Sequence, residues 1–126
     1  MSSADSIRQV MQDRRLASLG DAYVNFAFSL ALTKIKGNPE GVKVSDKVLA
    51  EAFKFAELRK FLGTRVNRKD LANAAEAILF EAYRRELMSI NECVELIAQN
   101  REGPTYGLSN LLRVAVERLV SNEGLP

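Results

Sequence analysis

Apolar residues recur at spacings of three and four along almost the whole chain, and the alternation that marks a half-buried strand is nearly absent. Leu16, Leu19, Tyr23, Phe26 and Leu30 make one helical stripe. Val48, Leu49, Ala52, Phe53 and Ala56 make a second, opened by Ser45 as its N-cap. A third runs through Leu71, Ala74, Ala75, Ile78, Leu79 and Ala82, with Asn67 in the capping place. Ser89 opens a fourth through Val94, Ile97 and Ala98, and Glu92 three residues on has the capping-box spacing. Leu111, Leu112, Ala115, Val116 and Leu119 mark a fifth from about Ser109, while Asp5 is placed to cap a short helix ahead of Asp13. Turn residues cluster at Gly37-Asn38-Pro39, Leu62-Gly63-Thr64 and Gly103-Pro104. The pattern predicts an all-α bundle of five or six helices without internal repeats.

Composition narrows the chemistry. A chain of 126 residues, 47% hydrophobic and 27% charged, is expected to be a single domain over residues 1–126. One Cys and no His exclude Cys/His metal sets and Ser-His or Cys-His catalysis. A lone Cys93 suits a reducing compartment. The longest apolar stretch, residues 22–32, is interrupted by Asn25 and Ser29 and is too short to span a bilayer. Residues 1–15 are polar, unlike a signal peptide, so the expected location is cytoplasmic. The net charge of +2 says little, but residues 59–69 hold Arg59, Lys60, Arg65, Arg68 and Lys69 and no acid. Such a run is either a solvated loop and helix end or a phosphate-facing patch.

Certain residues break the pattern of their helices. Gly20 falls in mid-helix, where Gly costs roughly 1 kcal/mol against Ala, and close approach of another backbone explains it best. Asp21 shares a face with Ser18 and Asn25, and periodicity alone leaves it either solvated or functional. Asn73 and Glu76, three apart, share a face among the small side chains of Ala72, Ala74, Ala75 and Ala77. Those alanines serve plain tight packing, with Glu76 exposed, or else they let a helix or ligand approach closely. If Asp21 and Glu76 meet across two packed helices, they make an oxygen-rich pair that Mg²⁺ or Mn²⁺ accepts while keeping several waters. Phe26 and Phe28 point about 200° apart, so a self-complementary helix pair, or a neighbouring helix of the same chain, must cover one of them.

These segments carry a family resemblance. Leu16-Ala17-Ser18-Leu19-Gly20-Asp21-Ala22 resembles the ribonuclease III signature, usually Leu-Glu-Phe-Leu-Gly-Asp-Ala/Ser. Leu71-Ala72-Asn73-Ala74-Ala75-Glu76-Ala77-Ile78 resembles the family's second motif, Leu-Ala-Asp-x-x-Glu-Ala-Leu. The order and separation of the two fit as well, and the likeness spans residues 14–95. It is strongest to small archaeal proteins of the superfamily that consist of the nuclease domain alone, without a double-stranded-RNA-binding domain. The family's four metal-binding acids would fall at Ala17, Asp21, Asn73 and Glu76, which leaves two carboxylates. Arg14 stands where a further acid is usual, and Ser18 replaces the bulky aromatic that crosses the family's dimer interface. The Mini-III branch, similar in lacking the first acid, still cleaves RNA.

The resemblance implies a helical nuclease domain that dimerises through the first-motif helix, with Ser18, Gly20 and Ala22 at the contact. It implies an Mg²⁺- or Mn²⁺-dependent endoribonuclease acting on structured or double-stranded RNA, with no organic cofactor and no membrane partner. Asp21 and Glu76 would hold the metal, and Asn73 would be a weaker ligand or orient a water. Products would carry 5′-phosphate and 3′-hydroxyl ends. The basic run at residues 59–69 would bind RNA phosphates, with Arg84 and Arg85 as secondary candidates unless Glu81 and Glu86 pair with them. The alternatives are a catalytically reduced relative that binds structured RNA or a ribonucleoprotein as a scaffold, or a helical interaction module.

Overall fold

A computed structural model of the chain describes residues 3–99 and 102–123. Six α-helices occur in order, α1 (Ser3–Met11), α2 (Arg14–Lys36), α3 (Asp46–Phe55), α4 (Arg68–Arg84), α5 (Ile90–Gln99) and α6 (Pro104–Glu123). A 3-10 turn, Arg59–Phe61, sits between α3 and α4, and no strand occurs among the described residues. The all-α bundle expected from the periodicity is what forms.

Local chemistry sets most of the helix ends. Ser45 Oγ accepts from the Val48 amide at 3.2 Å and starts α3. Asn67 and Asp70 form a reciprocal box at the start of α4, each side chain accepting from the other's backbone N–H at 2.9 and 3.0 Å. Asp13 Oδ1 accepts from Arg15 and Leu16 amides and starts α2, which Gly37 ends in the left-handed region at φ 77°.

Three expectations need correction. Ser89 does accept from the Glu92 amide at 3.1 Å, but the Glu92 carboxylate turns to Arg118 (2.6 Å at each oxygen) and ties α5 to α6. The last helix begins at Pro104, not near Ser109, since proline at a first helical position gives up only an N–H that has no intrahelical partner. Asp5 lies inside the first turn of α1 and pairs with Arg8, so it does not open the helix.

α4 runs through the centre, with α1, α2, α3 and α6 packed around it. Its alanines at 72, 74, 75, 77 and 82 are fully buried, and their small size lets neighbours close in from several sides. Phe53 of α3, Ile78 and Leu79 of α4, and Leu108, Leu111, Leu112 and Leu119 of α6 fill the interior.

The inward face of α2 is not the large-residue stripe read from spacing. Ala17, Gly20, Tyr23, Val24, Ala27 and Ala31 are buried, whereas Leu19 and Phe26 are more than half exposed and Leu30 is exposed at its side. Close approach to α4 selects the small residues for the interface and turns the bulky ones outward.

The polar side of α2 holds the connection to α3. Asp21, Asn25, Ser29 and Thr33 stand four apart and form one polar row. The extended segment 40–44 lies along this row in the opposite direction. Glu40 N–H donates to Thr33 Oγ1 (2.9 Å), Val42 N–H to Ser29 Oγ (2.9 Å), and Val44 N–H to Asn25 Oδ1 (2.7 Å). Two residues of extended chain advance about 6.6 Å and four helical residues about 6 Å, so the two repeats stay in step. The row leads straight to Ser45 and α3, and its last member is Asp21.

Candidate functional site

The α2–α4 contact is closest at Gly20. An added Cβ there would lie 2.1 Å from the Glu76 carbonyl oxygen and 2.5 Å from its carbon, so only glycine fits. This is the backbone approach expected from the sequence. It places the next residue of α2, Asp21, against the side chain of Glu76.

The side chains of Asp21 and Glu76 lie within hydrogen-bonding reach of one another. Glu76 is buried, 3% exposed, which overturns the reading of it as a solvated residue on an alanine helix. Burial pushes its carboxyl up to about 8, with the Asp21 hydrogen bond, the Asp21 charge and the Asp46 charge adding to the rise and Lys69 opposing it. In the absence of a cation the Glu76 carboxyl therefore holds its proton at neutral pH. Asp46 opens α3 and also meets Lys69 Nζ at 3.4 Å, so the end of the docked segment delivers one more acidic group to this neighbourhood.

Asn25 fixes Asp21. Its Oδ1 is committed to the Val44 amide at 2.7 Å, which turns its Nδ2 to Asp21 Oδ1 at 3.3 Å. A backbone donor thus settles which end of the amide faces the carboxylate. Neither Asn25 nor Asp46 stands out in the sequence for such a part. The four-residue spacing of Asp21, Asn25, Ser29 and Thr33 is the signal that could have found the first of them.

Asn73 stands one turn before Glu76 on α4 and is half-buried, and Ala17 stands one turn before Asp21 on α2. Both line a cavity of about 280 Å³ that also meets Arg14 and Arg65. Arg59, Lys60, Arg68 and Lys69 are exposed, the first two in the 3-10 turn and the others at the start of α4. Ser18 and Ala22 face outward beside Leu19, whereas Gly20 is spent within the chain against Glu76.

A second buried glutamate has the opposite electrostatics. Burial raises the carboxyl of Glu81, but hydrogen bonds from Arg84 (2.6 and 2.9 Å) and Arg85 (2.8 Å) outweigh it and hold the group below its ordinary value. Those two arginines are therefore engaged by Glu81, one of the two acids that the pairing alternative named.

The fold, the two motifs and this helix contact define a nuclease-type helical domain. A Ribonuclease III family model matches residues 14–114, and the chain belongs to that family. No curated protein matches the chain. No helix is long and apolar enough to cross a membrane, among the residues described.

Ribonuclease III proteins generally use a divalent metal, and the donor set here suits one of limited demand. Among the described residues no group of three or more acidic or Cys side chains is placed to hold an ion. Of these two neighbouring acids, Glu76 is buried and raised, and a cation would take the place of its proton. Mg²⁺ and Mn²⁺ accept one or two carboxylates and fill their remaining positions with water and phosphate oxygens.

Proposed function

We propose that this protein is a metal-dependent endoribonuclease of structured or double-stranded RNA, and that Asp21 and Glu76 hold its Mg²⁺ or Mn²⁺. The observation that carries the reading is the convergence of these two acids, 55 residues apart in sequence, beside the close α2–α4 approach at Gly20. When bound, the ion would polarise the scissile phosphate and lower the pKa of an attacking water. Asp21 is oriented for ligation by the Asn25 amide, and Glu76 is carried on the rigid central helix. The Asn73 amide oxygen is available beside them as a weak neutral ligand or to orient a water. Arg59, Lys60, Arg65, Arg68 and Lys69 would track the RNA backbone through its phosphates.

The single domain would work as a homodimer. Support comes from the outward face of α2, where Leu19, Phe26 and Leu30 are exposed next to Ser18 and Ala22. Apolar side chains at this density on one helix face call for a partner surface. A two-fold pairing of α2 helices would cover them and set two catalytic centres on one duplex.

The test is cleavage of a duplex RNA in Mn²⁺ by the native chain and by Asp21→Asn and Glu76→Gln. Cleavage by the native chain that both substitutions abolish supports the nuclease. Ala17 and Asn73, which stand where the family's other metal-binding acids would fall, favour the scaffold as second reading. Tight RNA binding without cleavage at any metal concentration would establish it instead.

A further inference from the structure

The cavity beside the two carboxylates has a chemistry unlike theirs. Its walls come from the end of α1, the start of α2, the segment after the 3-10 turn, and the first half of α4. Arg14 and Arg65 both line it, and neither guanidinium has a hydrogen-bond or ion-pair partner among the described residues. Two carboxylates also line it, Asp13 and Asp70, each with one oxygen bonded to backbone amides at a helix start. Asp13 accepts from the Arg15 and Leu16 amides at the start of α2, and Asp70 from the Asn67 amide at the start of α4. The side-chain donors of this lining left without an acceptor among the described residues are the guanidinium forks of Arg14 and Arg65 and the amides of Gln12 and Asn73, a donor set for an oxyanion. A guanidinium presents parallel N–H groups that match phosphate oxygens, so a pair of them favours phosphate over a carboxylate or halide.

Position strengthens the case. Ala17 and Asn73 of its lining stand one helical turn before Asp21 and Glu76 respectively, about 4.5–6 Å along each helix. Both are neutral, and Ala17 is small, so this part of the lining carries no negative charge to repel an anion. A group seated here would therefore lie next to the ion without competing for it.

We propose that this cavity is a phosphate-binding subsite, in which Arg14 and Arg65 grip one phosphate group of a nucleic acid strand and the Asn73 Nδ2 donates to it. The assignment rests on the nuclease reading for its biological substrate, but the binding itself does not require a metal. The phosphate would be either an internal diester next to the bond being cut or the 5′-monophosphate left at a strand end.

The experiment measures binding of a nucleoside 5′-monophosphate and of a dinucleoside monophosphate by calorimetry in EDTA, with inorganic phosphate as competitor. Native protein should bind, and phosphate should displace the ligand. Arg14→Ala and Arg65→Ala should each weaken binding about 10-fold or more, while Arg14→Lys and Arg65→Lys, which keep charge without the fork, should recover only part of it. Asp21→Asn and Glu76→Gln should bind at least as tightly as the native chain. The ligand preferred tells a strand end from an internal phosphate. The subsite is overturned if no ligand binds, or if Lys54→Ala, at an exposed lysine outside the cavity, weakens binding as much as the two cavity arginine variants do. RNA cleavage that persists at native KM in both arginine-to-alanine variants would also overturn the subsite and leave the nuclease standing. Arginine-dependent binding in a protein that never cuts RNA would do the reverse.

Discussion

The backbone of Gly20 rests on the carbonyl of Glu76, at a separation that leaves no room for a single methyl group. A backbone atom cannot swing aside as a flexible side chain can, so Gly20→Ala must push α2 away from α4. The expected loss is about 1–3 kcal/mol in stability, typical of overpacking, read from urea denaturation midpoints. Because the shift acts on the residue that carries the carboxylate, Mn²⁺ affinity should fall in the same variant by more than a stability loss of that size explains. A variant with native metal affinity would show that the contact serves packing alone.

The two buried glutamates of α4 should respond to pH with opposite signs. Glu76 is raised to about 8 in the folded chain from 4.5 in the unfolded one. Between those values the unfolded chain has released its proton and the folded chain still holds it, so metal-free protein loses stability as pH rises through that window, by at most about 1.4 kcal/mol per unit. Glu81 is lowered, so its stabilisation is present above its ordinary pKa and is lost as pH falls through the depressed value. Thermal denaturation in EDTA from pH 3 to 9 should separate them, with Glu76→Gln flattening only the limb between about 4.5 and 8.

Asn25→Leu removes the donor that orients Asp21 and leaves the Val44 N–H without its acceptor. Outer groups that orient a metal ligand in this way are commonly worth 10–100-fold in metal affinity, and a drop of about that size is expected in Mn²⁺ titration. Asn25→Asp still accepts from Val44 but sets a further negative charge beside Asp21, so it should raise the Glu76 carboxyl further. Equal metal binding in all three proteins would mean that Asp21 needs no orienting partner.

Phe26→Glu places a charge on the exposed face of α2. Sedimentation should show a native dimer and a folded monomer for this variant, with an unchanged helical circular dichroism spectrum. A native chain that sediments as a monomer at micromolar concentration would overturn the dimer.

Much of this molecule is readable from local signals. The caps at Ser45 and Asn67 act within one helical turn, and the Gly20 approach follows from the cost of glycine in mid-helix. The two motifs also single out Asp21 and Glu76 with no knowledge of the packing. The errors fall where tertiary context decides. On α2 the large side chains outweigh the small ones in any periodicity count, yet proximity to α4 makes Ala17, Gly20 and Ala27 the buried ones. At α6, Pro104 has two readings, a break or a first residue, and only the packing of the residues beyond it selects the second. The burial of Glu76 depends on a partner supplied from α2, which no pattern within α4 reveals.

The paired repeats of segment 40–44 and the polar row of α2 impose a rule on length. Inserting one residue between Glu40 and Val44 would break the register on one side of the insertion, presenting a side chain or the wrong amide to the α2 acceptor there, and would shift Asp46 relative to the two carboxyl groups. Only the turn at Gly37-Asn38-Pro39 is outside that constraint. Variation in the size of this connection should therefore collect at its tip, and a tag or loop graft placed there should leave the chemistry of the domain untouched.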